Sequence, residues 1–118
     1  MASKPKEKVK ELMEGIEALG KADSERMQPF MAFVEASLKA GALDSKTKQL
    51  ILVALSLYAR CEHCIAEHIQ EALKAGASRE ELTETAFLSG LMGGGPVIAC
   101  SATVGQDAIN TFASDYGK

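Results

Sequence analysis

The sequence predicts a compact all-α domain of about six helices, and three observations support this prediction. Apolar residues recur at steps of three and four residues along most of the chain, as in helices with one buried face. The alternation of apolar and polar residues that indicates half-buried strands is nearly absent. Capping residues, glycines and prolines divide the chain into segments of helical length. Residues 1–118 are expected to form one domain, whose core needs no disulfide staples.

Two helices are predicted before residue 42. Pro5 suits a first helical turn behind Ser3, and a helical apolar face then continues to a stop at Gly20. The second helix is expected to begin near Pro29, to carry two phenylalanines, and to stop at Gly41.

The third helix is predicted to run through residues 50–58, with Asp44 and Ser45 as candidate N-caps. The helical period then continues through Ile65 and Ile69 as far as Gly76. The segment LYARCEHC, residues 57–64, contains no glycine, proline or strong cap. Whether one helix runs through this segment or a new helix begins near its centre therefore stays open.

The last helices follow clear boundary signals. Ser78 and Glu81 match a capping box, which predicts the start of another helix. The Gly-Gly-Gly-Pro run at residues 93–96 is expected to end that helix. A final helix is then predicted over residues 97–112.

Two segments indicate that the protein is an obligate homo-oligomer. Residues 50–59, LILVALSLYA, are apolar nearly all round a helix, and residues 91–105 are mostly small and apolar. A helix of this kind requires burial on every side. Six short helices offer few layers for that burial, so subunit interfaces are the expected cover. The alternative is one central helix surrounded by the others.

Composition and charge exclude several classes of protein. With a net charge of −3 and 5% aromatic residues, the chain lacks the basic stripe and stacking platforms of nucleic-acid binding proteins. The charged N-terminus is not followed by an apolar signal core, and the apolar windows are too short to span a bilayer. We therefore expect no membrane partner and a cytoplasmic location, where thiols stay reduced unless they serve catalysis or sensing.

The octet CEHCIAEH, residues 61–68, concentrates the chemically active side chains. It contains a C-x-x-C pair, Cys61 and Cys64, and His68 lies four residues after the second cysteine. At about 100° per residue, a continuous helix would place these three side chains on one side. An imidazole at this spacing can take a thiol proton or stabilise the thiolate, which is the nucleophilic form. A second thiol nearby can then close a disulfide after oxidation.

Two other interpretations of the cysteines stay open. Cys61, Cys64, His68 and Cys100 could hold zinc, although no second C-x-x-C or paired histidine motif accompanies them. The cysteines could also be structural, and Cys100, in an apolar segment, is interpreted as a small buried residue.

The remaining polar residues of the octet are interpreted as a solvated face. His63 is expected on the back of the helix, where it could still support the thiols. Glu62 and Glu67 are interpreted as surface charges rather than general bases. The Gly-Gly-Gly-Pro run lacks the Lys-Ser/Thr ending of a P-loop, so no phosphate site is predicted there.

From about Gly41 onward, the sequence resembles the carboxymuconolactone decarboxylase family, in particular its alkylhydroperoxidase D-like branch. The similarity lies in residues 43–86, in residues 91–104, and most specifically in the C-x-H-C-x-x-x-H pattern of the octet. The resemblance implies an all-helical fold that assembles into trimers or hexamers. It also implies a thiol peroxidase or disulfide reductase activity.

The resemblance also implies roles for individual residues. Cys64 corresponds to the thiolate that attacks the peroxide and becomes a sulfenic acid, and Cys61 corresponds to its proton donor and resolving partner. His68 and His63 match the two histidines of the branch. The expected substrates are organic hydroperoxides, and the expected reductant is a dithiol donor, in the family a lipoyl-bearing protein. Neither a cofactor nor a metal is expected.

One position departs from the pattern of the branch. A glutamate usually lies twelve residues before the first cysteine and serves as the distal base of a proton relay, whereas this chain has Gln49. An amide can orient His68 but cannot accept a proton at neutral pH, so we expect reduced peroxidase efficiency. Glu67, or a glutamate of another subunit, could substitute.

The alternatives to a peroxidase belong to different classes of protein. The parent decarboxylases act on a lactone and do not depend on the cysteine pair, so the pair favours the redox branch. A non-catalytic module that binds zinc or senses redox state through its thiols is the other alternative.

Overall fold

A computed structural model describes residues 4–118 as helices joined by short turns, which confirms the predicted all-α class. Within this range the chain forms no strand. Ser3, the residue predicted to precede the first helix, lies outside the described residues. The helices are α1 (Lys4–Ala22), α2 (Ser24–Leu38), α3 (Ser45–Ala59), α4 (Glu62–Lys74), α5 (Arg79–Gly93), α6 (Gly95–Cys100) and α7 (Gln106–Phe112).

The predicted last helix is one helical run with a local irregularity. A π-helical turn, Ser101–Gly105, joins α6 to α7, and a 3-10 turn, Ala113–Tyr116, follows α7. The run begins at Gly95, because Gly94 adopts a positive φ of 70° and ends α5. A Cβ atom at Gly93 would overlap the side chain of Val97. The glycine-rich segment is therefore both a turn and a point of close helix packing.

The second helix corrects the sequence prediction. It was expected to begin near Pro29 and to stop at Gly41, but it begins at Ser24 and ends at Leu38. Asp23 caps it, since the Asp23 carboxylate accepts a hydrogen bond from the backbone N–H of Arg26 at 3.2 Å. Pro29 lies inside the helix, which forgoes one backbone hydrogen bond there.

Gly20 is likewise not a helix stop. The first helix continues past it to Ala22, and only Asp23 separates α1 from α2. A Cβ atom at Gly20 would lie 3.1 Å from Cγ of Met27. The glycine therefore serves close packing between the two helices, a role that its position in the sequence does not reveal.

Two other predicted boundaries are confirmed. The Asp44 carboxylate caps α3 by accepting from the backbone N–H of Thr47 at 2.8 Å. Ser78 and Glu81 form both hydrogen bonds of the capping box at the start of α5.

Helix α4 lies at the centre of the domain and carries the cysteine motif. It packs against α1, α3 and α7. Its Ile65, Ile69 and Leu73 side chains are fully buried, together with Leu57 of α3 and Phe112 of α7. Helix α4 is therefore the helix that the others surround, and the strongly apolar α3 is more exposed than α4.

Large apolar side chains remain on the surface of α3 and α5. On α5 the exposed fractions are 66% for Phe87 and Leu88 and 80% for Leu91 and Met92. On α3, Leu55 is 56% exposed. No helix among the described residues is long and apolar enough to cross a membrane. Exposed apolar side chains that cluster on one helix, as Phe87, Leu88 and Leu91 do on α5, are typical of an interaction surface.

Candidate active site

The turn between α3 and α4 determines the position of the cysteines. Arg60 adopts a left-handed conformation with φ 55°, so α3 ends there although the sequence has no glycine. The backbone N–H of Cys61 donates to the Ser56 carbonyl at 3.2 Å, and the next helix begins at Glu62. The question that the sequence left open is therefore answered: a new helix starts directly after Cys61.

Cys61 is the N-cap residue of α4, and a disulfide joins it to Cys64. The two Cα atoms lie 5.2 Å apart. The backbone N–H of Cys64 donates to Cys61 Sγ at 3.3 Å. When the bond is reduced, this donor and the positive end of the helix favour a thiolate at Cys61.

Gln49 and His68 meet between α3 and α4. His68 Nδ1 lies 2.9 Å from Gln49 Oε1, and the Gln49 side chain is buried. Because a carbonyl oxygen can only accept, Nδ1 carries the proton and Nε2 can act as a base.

Burial sets the charge of His68. Desolvation lowers the pKa of the imidazole from its ordinary value of 6.5, so the ring is neutral at neutral pH. A neutral imidazole can accept a proton from a neighbouring acid but does not act as a permanent cation. The Gln49 amide orients the ring but adds no charge to it.

His63 and Glu62 are directed towards α1. His63 Nε2 lies 2.9 Å from the carboxylate oxygen of Glu11, and the Glu62 carboxylate forms an ion pair with Lys8 at 3.2 Å. The structure therefore engages the His63 ring with α1. Its contacts anchor the N-terminal end of α4 to α1.

An apolar cavity of about 640 Å³ opens beside the second cysteine. Cys64, Glu67 and His68 contribute to one wall of this cavity, whereas Cys61 does not line it. The other walls come from α1, α2, α3 and the loop before α3, with the apolar residues Leu12, Ile16, Phe30, Phe33, Leu38 and Ile51 among them. We call this feature the Cys64 cavity.

Glu67 corrects the interpretation of this residue as a surface charge. Its side chain is half-buried and lines the Cys64 cavity. Burial raises the pKa of the carboxyl above its ordinary value of 4.5, and the negative charge of Glu71 raises it further. The spacing of three residues after Cys64 was the available signal, because residues three apart are neighbours on a helix.

Cys100 keeps a free thiol and packs against the core at its edge. Burial raises the pKa of this thiol, as does the charge of Glu62, while Arg60 opposes the shift. Among residues 4–118, no three or more His, Cys, Asp and Glu side chains are grouped so that they could hold a metal ion.

The fold and the site define an all-helical protein with a C-x-x-C pair at a helix N-terminus and a neutral histidine one turn beyond it. Comparison with known proteins then gives the family: a model of the carboxymuconolactone decarboxylase family matches residues 24–106. The chain belongs to this family, which confirms the resemblance and extends it towards the N-terminus.

Individual relatives cover nearly the whole chain. An uncharacterised protein of Cupriavidus necator is 34% identical over 112 residues, which span 93% of this chain and 99% of that protein. The crystal structure of lpg0406, a carboxymuconolactone decarboxylase family protein from Legionella pneumophila, is similar with a TM-score of 0.84 and 35% identity. The two structures match over 99% of this chain and 100% of that one.

A more distant structure shares the fold. The family member TM1620 of Thermotoga maritima, for which an involvement in the antioxidative response has been suggested, has a TM-score of 0.80 at 24% identity. The match covers 93% of this chain and 94% of that chain. At this identity the similarity supports the fold alone.

Proposed function

We propose that this protein is a thiol-dependent peroxidase of the cytoplasm that reduces organic hydroperoxides. The observation that carries the proposal is the position of Cys64, which is bridged to Cys61 and lines an apolar cavity next to His68. An apolar cavity favours a substrate with a hydrocarbon group over hydrogen peroxide. The sulfur provides the reactive atom at the cavity wall.

The first step uses His68 as a base. With Nδ1 donating to Gln49, Nε2 accepts the proton of the Cys64 thiol. The resulting thiolate attacks the terminal oxygen of the hydroperoxide, the O–O bond breaks, and Cys64 becomes a sulfenic acid. The alcohol is the other product after the leaving oxygen is protonated.

The second step closes the disulfide. The Cys61 thiolate, favoured by its N-cap position, attacks the sulfenic sulfur of Cys64. The S–O bond breaks, and the leaving hydroxide takes up the proton that His68 accepted in the first step, which yields water. An external dithiol must then reduce the bond through a mixed disulfide. A lipoyl group suits this role, because its two thiols sit at the end of a hydrocarbon arm that matches the apolar cavity.

The proposal predicts a defined product of oxidation. Reduced protein treated with one equivalent of cumene hydroperoxide should lose two hydrogens in mass spectrometry and yield a peptide that links Cys61 to Cys64. Cys100 should remain alkylatable and serves as an internal control. Unchanged thiols at Cys61 and Cys64 would contradict the peroxidase proposal and favour the decarboxylase alternative.

The exposed face of α5 is proposed as the contact between copies in a trimer or hexamer. We expect Leu91→Glu to shift the mass in light scattering towards that of one 12.5 kDa chain, because a charge replaces an 80% exposed leucine on this face. Leu19→Glu, at a 61% exposed leucine of α1, is the matched control and should leave the assembly intact. An unchanged mass for Leu91→Glu would contradict the assignment of this face.

A further inference from the structure

Glu67 is an ionisable group on a largely apolar cavity wall, and the proposed first step leaves it without a role. Among residues 4–118, no hydrogen bond or ion pair involves its carboxyl group. Its side chain nevertheless lines the cavity that contains Cys64 and His68. Partial burial of the side chain disfavours the ionised form of this carboxyl group.

The helix places Glu67 next to the reactive sulfur. Glu67 follows Cys64 by three residues on α4, so their Cβ atoms are separated by roughly 5–6 Å. Both side chains line the same cavity, and the longer glutamate side chain can span the distance from its backbone to a molecule held at Cys64. A hydroperoxide held against Cys64 would thus have the Glu67 carboxyl beside its O–O bond.

The charges around Glu67 favour its protonated form. The nearest charge on α4 is Glu71, a like charge one turn further along. Lys48 of α3 also lines the cavity, but its Nζ donates to the carbonyl oxygens of Ser37 at 2.8 Å and Lys39 at 2.6 Å. This lysine stabilises the end of α2 and does not neutralise the carboxyl group.

The other ionisable groups near this part of α4 have partners other than Glu67. Lys8 and Glu11 of α1 pair with Glu62 and His63, on the turn before Glu67. His68 is neutral and donates to Gln49. Burial and the charge of Glu71 raise the pKa of Glu67, which increases the share of its protonated form at the cavity wall.

We infer that Glu67 is a catalytic acid that protonates the alcohol oxygen as the hydroperoxide O–O bond breaks. This inference rests on the proposed peroxidase function and deepens it. In an in-line displacement the leaving oxygen lies on the side away from sulfur, so it needs a proton donor beyond the attacking atom. His68 acts on the sulfur, and Glu67 acts on the leaving oxygen.

The step is balanced in atoms and charge. The Cys64 thiolate forms an S–O bond to the terminal oxygen, and the O–O electron pair leaves with the alkoxide oxygen. The Glu67 proton moves to that oxygen, which yields the sulfenic acid, the alcohol and a carboxylate. Sulfur is oxidised, the peroxide is reduced, and the single negative charge passes from Cys64 to Glu67. Water at the cavity mouth then returns a proton to the carboxylate.

Two oxidants with different leaving groups test this inference. Cumene hydroperoxide expels a strongly basic alkoxide that needs a proton, whereas a peroxy acid expels a weakly basic carboxylate that does not. We expect Glu67→Gln to slow Cys64 oxidation by cumene hydroperoxide about 100-fold, the lower range of general acid catalysis. Oxidation by peracetic acid should change by about twofold or less, because a thiolate attack on it needs no acid. Stopped-flow measurement on the pre-reduced protein gives both rate constants.

Matched variants and oxidants separate the possible outcomes. Glu25→Gln, the same isosteric change at an exposed position of α2, should leave both rates unaltered. Equal losses with both oxidants, or no loss with either, would overturn the role of Glu67 as an acid. If the wild-type protein reacts with peracetic acid but not with cumene hydroperoxide, the proposed function itself fails, and this inference fails with it.

Discussion

Replacing Cys64 by serine is expected to lower the rate of hydroperoxide reduction by on the order of 10³-fold or more, because the nucleophilic sulfur is removed. Cys61→Ser should behave differently. Its Cys64 thiolate still attacks one equivalent of peroxide, but the reaction stops at the sulfenic acid because the resolving thiol is missing. Labelling with dimedone should therefore detect a sulfenic acid in Cys61→Ser and none in Cys64→Ser.

Two physical effects compete in assigning the nucleophile. The N-cap position and the N–H of Cys64 favour the thiolate at Cys61, whereas His68 and the apolar cavity serve Cys64. We expect Cys64 to be the nucleophile, because a substrate in the cavity can reach Cys64, which lines it, but not Cys61, which does not. Cys100→Ser is the control and should retain full turnover. A sulfenic acid at Cys61 in the Cys64→Ser protein would reverse the two roles.

Replacing Gln49 by glutamate is expected to raise peroxide turnover by about 10-fold or more, since a carboxylate beside Nδ1 makes the imidazole a stronger base. Gln49 already contacts Nδ1 at 2.9 Å, so the carboxylate needs no rearrangement to reach it. Gln49→Leu removes the hydrogen bond without adding charge and should lower turnover. Circular dichroism of both variants checks that the buried substitution leaves the fold intact.

The pH profile of the Gln49→Glu variant distinguishes a proton relay from a packing effect. In the wild-type protein, burial lowers the pKa of His68 below 6.5, so the acidic limb of the peroxide rate should lie below that pH. Activity should rise as pH increases through the pKa and the ring loses its proton. The carboxylate that Gln49→Glu introduces would favour the imidazolium and move the limb to higher pH. A Gln49→Glu variant that is faster but keeps the acidic limb of its pH–rate profile at the wild-type pH would contradict a proton relay through residue 49 and His68.

Features of the fold that depend on residues close together in the sequence could be predicted from the sequence. Helix periodicity, the Asp44 cap and the capping box at Ser78 are of this kind, and the sequence predicts them correctly. The second helix was misplaced because Pro29 was interpreted as a start signal. Asp23 supplied the actual cap, and a proline is tolerated inside the helix.

The sequence by itself identified the cysteine pair, His68, the unusual Gln49 and the family, because these depend on residue types at fixed spacing. Only the tertiary structure decided that α4 begins after Cys61, since the left-handed Arg60 has no signature in the sequence. It alone also placed Glu67 on the wall of the Cys64 cavity and directed His63 towards Glu11. The cavity is built from α1, α2, α3 and α4. Packing between segments that lie far apart in the sequence determines which side of a helix is buried and which ionisable groups are desolvated.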